Sequence, residues 1–318
     1  MPSPVIVSQG DITGAGWQLF CRDILKERPK SCTIIVGDKI EADIAGVKFT
    51  SELSDIDFRD KSYFLFHRNR LIQSKPGIPT KQTSLASYEN FMRSLKVWRS
   101  VTNSALLTLP VSKEMIIKAG KSFQGHTEVI GKEYKKKTFL CMHSTQLTTV
   151  LLTNHIPLKK VSSALKKVDY EQLIGSLRKF RNLLGIEKPV AMLGLNPHAG
   201  EGGKIGDEEI FLKEKIREMC KKGLKAEGPF SADSFFMNKY YENFSISLAG
   251  YHDQGLIPFK TLAGLNGVNV TLGVPQLRVS PDHGTAYKSI RSNEKLSSDG
   301  IKSALNFAIK RGQKWAQL

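Results

Sequence analysis

The sequence has no apolar run approaching the roughly 18 residues needed to span a bilayer, and its start lacks a basic segment followed by an apolar stretch. No membrane partner is therefore expected, and a cytoplasmic location is. Cysteine is scarce. Cys21, Cys32, Cys141 and Cys220 stand far apart with no paired spacing, which argues against a zinc knuckle and against a disulfide framework. Neither the dinucleotide fingerprint Gly-x-Gly-x-x-Gly nor the spacing of a P-loop occurs. Internal repeats and low-complexity linkers are also missing, so a second domain must be interleaved with the first rather than appended to it.

What is present suits a metabolic protein. A chain of 318 residues, 40% of them hydrophobic, can bury a substantial core and fits two medium domains. The formal charge of +17 could neutralise nucleic-acid phosphates. Yet the lysine runs at Lys135-Lys136-Lys137, Lys159-Lys160, Lys166-Lys167 and Lys221-Lys222 carry no alternating aromatics of the kind that stack bases. Solvated faces that steer a small anionic substrate are the simpler reading, and no nucleic-acid partner is expected.

Apolar runs and helical periodicities alternate along the chain. Val5 to Ser8 reads as a strand, Gly10 to Gly16 as a glycine-rich turn and Trp17 to Leu25 as an amphipathic helix. Such a turn can hold a phosphate or simply reverse the chain. Thr33 to Val36, Tyr63 to Phe66 and Leu106 to Leu109 are further strands, with a long helix over Thr83 to Val101. Thr138 to Met142 and Gln146 to Leu152 look like a strand pair. Helices follow over Val168 to Leu184 and Glu208 to Cys220, and strands over Val190 to Leu193, Ile246 to Gly250, Val268 to Leu272 and Leu277 to Val279. Gly228 to Asp233 reads as a turn placing Asp233 near a helix start, and Ile301 to Trp315 as a basic amphipathic helix. The alternation predicts an α/β fold with a largely parallel sheet.

Polar clusters sit at the ends of these strands, where open α/β sheets bind ligands. The densest runs from Gly194 to Glu209 and holds His198, four carboxylates and five glycines in sixteen positions. His155 and His252 also stand at strand ends, and neutral imidazoles are usual ligands of borderline divalent cations. A shared metal and coincidence both fit, since His67 and His143 border strands too. At Gly125-His126-Thr127-Glu128 a helix start can either receive an anion or present a Thr cap beside an exposed His.

Four of these motifs carry a resemblance. Gly125-His126-Thr127-Glu128, Asn196-Pro197-His198-Ala199-Gly200-Glu201-Gly202-Gly203, Tyr251-His252-Asp253-Gln254-Gly255 and Asp282-His283-Gly284-Thr285 are similar, in that order, to the 4-hydroxythreonine-4-phosphate dehydrogenase family of vitamin B6 biosynthesis. The resemblance implies an α/β fold of two interleaved domains, like isocitrate and isopropylmalate dehydrogenases, which bind NAD without the usual fingerprint. We place the first domain at 1–118 plus 286–318 and the second at 119–285, with a cleft between them. The resemblance further implies a homodimer with a shared active site. It assigns His155, His198 and His252 as metal ligands, the last reaching the site from the partner subunit, and His126, Thr127, Lys260, Asn269 and Arg278 as substrate-binding residues. The implied cofactors are NAD or NADP and a divalent metal, zinc with magnesium or cobalt as alternatives. Asp233 and Asp253 are candidates for orienting a ligand histidine or taking a proton, or for capping a helix.

The implied reaction is oxidation and decarboxylation of 4-phosphohydroxy-L-threonine to 3-amino-2-oxopropyl phosphate. Two segments depart from the family pattern: Ile12, Thr13, Ala15 and Trp17 in the N-terminal turn, and Tyr287 to Arg291 after the last motif. They leave a dehydrogenase of threonate or erythronate 4-phosphate as the alternative.

Overall fold

The structure, a computed structural model, describes residues 3–27, 30–39 and 47–318. Twelve strands occur among them: β1 Val5–Ser8, β2 Thr33–Lys39, β3 Val47–Thr50, β4 Tyr63–Leu71, β5 Ala105–Thr108, β6 Phe139–His143, β7 Thr148–Leu151, β8 Val190–Leu193, β9 Ala226–Phe230, β10 Ile246–Ala249, β11 Val268–Leu272 and β12 Leu277–Pro281. The chain divides into two compact units, Met1–Tyr134 with Val274–Gln317, and Lys135–Gly273. The second is inserted into the first, so the α/β class and the interleaving expected from the sequence are both present.

In the first unit the strand order is β3-β4-β2-β1-β5-β12, and every pairing is parallel. β1 and β5 are buried along their whole length, as apolar runs covered on both faces must be. The Lys81–Ser100 helix starts in a capping box, in which Thr80 and Thr83 satisfy each other's backbone donors. It drives Phe91 and Trp98, both fully buried, into a cluster with Ile34, Leu106, Phe123 and Ile130. Phe123 and Ile130 flank and lie within the His126–Tyr134 helix, which explains why the border falls after Tyr134 and not at 119. The other border lies at 273 rather than 285, because β12 pairs with β5.

In the second unit the order is β11-β6-β7-β10-β8-β9. β6 runs antiparallel to both β11 and β7, as the short connection from β6 to β7 requires, whereas β7, β10, β8 and β9 are mutually parallel. β9 corrects the turn expected at Gly228 to Asp233. It ends the strand order, where a proline costs no ladder bond, so Gly228-Pro229 fits inside it. Asp233 does fall in the first turn of a helix, Ala232–Met237.

The His252–Ala263 helix packs on β7 and β10 through Gly255. A Cβ there would stand 2.7 Å from Leu151 Cδ2 and 3.0 Å from Ala249 Cβ. Gly255→Val should therefore cost about 1–3 kcal/mol of stability by overpacking, read as a lowered urea midpoint with an unchanged m-value. An unchanged midpoint would show that the helix can move off the strands freely. Among the described residues no helix is long and apolar enough to cross a membrane.

Candidate active site

The second unit carries three of its four histidines in a row. β7, β10 and β8 are adjacent parallel strands. His155 follows the first, His252 the second and His198 the third. Neighbouring strands lie about 4.8 Å apart, so the three loops leave one edge of the sheet side by side. Two side chains tie them together. Thr153 Oγ1 donates to Gly250 O at 2.6 Å. Gln254 accepts from Gly250 N at 2.7 Å through Oε1 and donates to Gly194 O at 2.6 Å through Nε2.

The rings of His155 and His252 have centroids 5.3 Å apart at an interplanar angle of 40°. This contact lies within one chain, whereas the resemblance brings His252 from a partner. His252 Nδ1 lies 2.7 Å from Asp253 Oδ1, so a ring that carries its proton on Nδ1 has its free lone pair at Nε2. Asp253 lies in the first turn of the helix, whose N-cap is Tyr251. His198 is exposed and lines a cleft of about 730 Å³ with Asp233, Tyr251, Asp253 and Gln254. Asp233 is held below the usual carboxylate range by Ser231, whose hydroxyl donates to it at 2.6 Å, by the Ser234 backbone and by the nearby His198. Among the described residues no three of His, Cys, Asp and Glu converge tightly enough to form a metal-binding group. Paired imidazoles, one of them bonded to a carboxylate, are nonetheless the donor set a borderline divalent cation takes.

The loop that presents His198 was legible as glycine-rich but not as left-handed. From His198 to Gly202 every residue has positive φ, between 44° and 76°, and Gly203 continues at 96°. Asn196 and Glu209, which brace this loop, and Gln254 carried no role in the sequence reading. Their signal was an acid in the first helical turn and polar residues inside the quoted motifs.

The remaining residues divide between the units. Lys260 lies in the His252–Ala263 helix, and Asn269 lies in β11 with its buried Oδ1 unbonded. In the first unit His126 begins a helix, with Thr127 next, and its ring packs edge-on against Phe91 at 4.4 Å and Phe123 at 5.6 Å. Its Nε2 is sealed from solvent without a partner. The exposed-histidine reading of this tetrapeptide is thus excluded. Arg278 on β12 is 2% exposed and donates from Nη2 to Thr108 Oγ1 at 2.6 Å. Burial pulls its guanidinium down to about 10, against the attraction of Glu128.

Burial, helped by Arg278, also holds the His126 imidazole well below its ordinary range. The unfolded chain takes up a proton below pH ~6.5 that folded His126 refuses. The stability contributed by neutral His126 is therefore complete above that pH. It is lost as the pH falls toward the folded value, by at most about 1.4 kcal/mol per pH unit. His126→Gln should flatten this part of the profile in urea titrations between pH 5 and 7; an unaltered slope would place the proton elsewhere.

The glycine-rich N-terminal turn has four of its amides bonded within the protein. Asp11 N donates to Pro110 O, Thr13 N to Asp11 Oδ1, Gly14 N to Asp11 O and Ala15 N to Thr285 O, so these amides are already engaged. The two segments that depart from the family pattern meet here: Tyr287 Oη donates to Asp11 Oδ2, Gly77 N to Thr13 O, and Arg291 Nη1 to Gly77 O at 2.8 Å. Tyr287 and Arg291 are thus joined to the turn through Asp11 and Gly77.

Two sheet-based units, one inserted in the other, with imidazoles and carboxylates on the loops after parallel strands, define an α/β protein of the class in which metabolic enzymes build their sites. Residues 26–308 match the family described as pyridoxal phosphate biosynthetic protein PdxA, and the chain belongs to that family. It is 34% identical over 316 residues to a 4-hydroxythreonine-4-phosphate dehydrogenase of Aquifex aeolicus, covering 95% of this chain and 96% of the relative. To the enzyme of that name from Beijerinckia indica it is 31% identical over 322 residues, covering 96% and 94%. The crystal structure of 4-hydroxythreonine-4-phosphate dehydrogenase from Klebsiella pneumoniae superimposes with a TM-score of 0.80 at 25% identity, covering 98% of this chain and 99% of that one.

Proposed function

We propose that the protein is an oxidoreductase that converts 4-phosphohydroxy-L-threonine with NAD to 3-amino-2-oxopropyl phosphate and carbon dioxide. Its relatives carry the name of that dehydrogenase. The observation that carries the reading to this chain is the row of His155, His252 and His198 on adjacent strands, with Asp253 bonded to its middle member. With His155 and His198 from one subunit and His252 reaching across from the other copy, these three histidines would hold a divalent cation, zinc before magnesium or cobalt. The chemistry such a cation supplies is Lewis acidity toward the substrate hydroxyl and the charge that develops on decarboxylation.

The chain's own groups do the rest. Arg278 presents a planar fork of donors, and Lys260 a compact ammonium, to the phosphate and carboxylate. Neutral His126 hydrogen-bonds without adding charge, with Thr127 beside it at the positive end of its helix. The unbonded Asn269 Oδ1 accepts from the substrate ammonium. Asp233, anionic and close to His198, would take the hydroxyl proton, and NAD when bound would supply the hydride acceptor. The resulting 3-oxo acid would lose carbon dioxide, the electron pair of the broken bond passing to an enolate that then takes up a proton at C2.

A cytoplasmic homodimer with a shared site belongs to this reading. Ile257 on the cleft is 64% exposed, and Met237 and Leu265 are 75% and 62% exposed, apolar surface that a second copy would cover. The test is NADH formation from 4-phosphohydroxy-L-threonine, threonate 4-phosphate and erythronate 4-phosphate, with NADP in parallel and metal content measured on the same sample. No turnover of the first substrate would sink the reading, and turnover of a phosphorylated sugar acid alone would establish the alternative.

A further inference from the structure

A run of left-handed residues is expensive. Each non-glycine residue there costs about 1–2 kcal/mol, and His198, Ala199 and Glu201 all occupy that region. Such a conformation persists only where its surroundings over-determine it. Backbone bonds from Ala199 N to Asn196 O and from Ile205 N to Gly200 O hold part of it, and one buried carboxylate reaches both sides of His198. Glu209, in the first turn of the Glu208–Lys221 helix and 4% exposed, accepts from Asn196 N at 2.8 Å through Oε1 and from Asn196 Nδ2 at 3.0 Å through Oε2. The same Oε2 fills the space beside Gly200, where a Cβ would stand 2.5 Å away. Asn196 and Gly200 lie two residues before and two after His198. Glu208 reinforces the first contact by accepting from Asn196 Nδ2 at 2.7 Å.

We infer that Glu209 is a positioning residue that clamps both flanks of His198 and holds its imidazole in place to bind a divalent cation. This inference rests on the reading of His198 as a metal ligand. Glu209 touches neither substrate nor cation. Its carboxylate has two acceptor oxygens for two donors of Asn196, so an amide of the same shape turns one attraction into a repulsion between NH2 groups. An alanine leaves Asn196 N without its acceptor and the left-handed loop without its floor. The helix start suits the charge as well, because the dipole favours an anion there.

The experiment is cobalt(II) titration of the full-length apoprotein, followed by visible absorption and calorimetry, for the unchanged chain, His198→Ala, Glu209→Gln and Asn196→Ala. Glu209→Gln should weaken cobalt binding about 10- to 100-fold, the range for loss of a residue that orients a ligand, and should alter the absorption spectrum at saturation. Asn196→Ala should move both in the same direction, and it serves in place of Glu209→Gln if that variant does not fold. Far-ultraviolet circular dichroism should remain that of the unchanged chain. Cobalt affinity and spectrum equal to the unchanged chain in Glu209→Gln and Asn196→Ala, with binding lost in His198→Ala, would overturn the positioning role alone. Cobalt binding undiminished in His198→Ala would overturn the metal reading and the inference with it.

Discussion

His198→Ala should abolish tight binding of a divalent cation and lower turnover by about 10³-fold or more, since Lewis-acid stabilisation is worth several kcal/mol and each 1.4 kcal/mol is tenfold in rate. The loss should come without unfolding. His198 is exposed, and the bonds that shape its loop run through Asn196, Gly200 and Glu209, not through its own ring. His198→Gly sharpens the contrast. Glycine adopts the left-handed region freely, so this variant should be as stable as the unchanged chain or about 1 kcal/mol more so, yet equally inactive. Metal content and NADH formation measured together check both variants. Full activity in either would remove His198 from the site.

Arg278→Met should weaken binding of the phosphorylated substrate by about 30-fold to several thousand-fold, the 2–5 kcal/mol typical of truncating one member of a buried, hydrogen-bonded charge pair. The fold should lose stability as well, because Arg278 is 2% exposed, donates to Thr108 and attracts Glu128, and removing one partner of such a set leaves the others without their cation. The signature is therefore a large rise in Kd for substrate, measured by calorimetry at a temperature where circular dichroism shows the variant folded. A KM close to that of the unchanged chain would show that the phosphate is held elsewhere, with Lys260 as the remaining cation of the assigned set.

Most strands and long helices were readable because buried parallel strands are short, wholly apolar runs and the helices carry apolar residues at helical spacing. β3 escaped because Val47–Thr50 is largely exposed, and β9 because Gly228-Pro229 is ordinarily turn chemistry. The border between the units depends on which core Phe123 and Ile130 join, a fact of packing that no local pattern encodes. The site was legible as a list of residues and illegible as an arrangement. Nothing in the spacing of His155 and His252 says that their rings meet, since that follows from β7 and β10 pairing in the sheet. The handedness of the His198 loop was hidden for a related reason. Three of its positive-φ residues are not glycines, and the carboxylate that holds them sits in the following helix.

The insertion of one unit into the other also sets an order of events during synthesis. Lys135–Gly273 is contiguous, so it can fold as soon as it has left the ribosome. The other unit must wait for β12 and for the Asp299–Gln317 helix, whose Trp315 is 1% exposed in the finished molecule. Until Leu277 emerges, Ala105–Thr108 is an apolar strand with one side of its ladder bare, the condition under which a nascent chain adds strands from its neighbours. A chain stopped within the inserted unit would leave that edge exposed permanently, so a segment made after the inserted unit is also the one that shields the sheet from other chains.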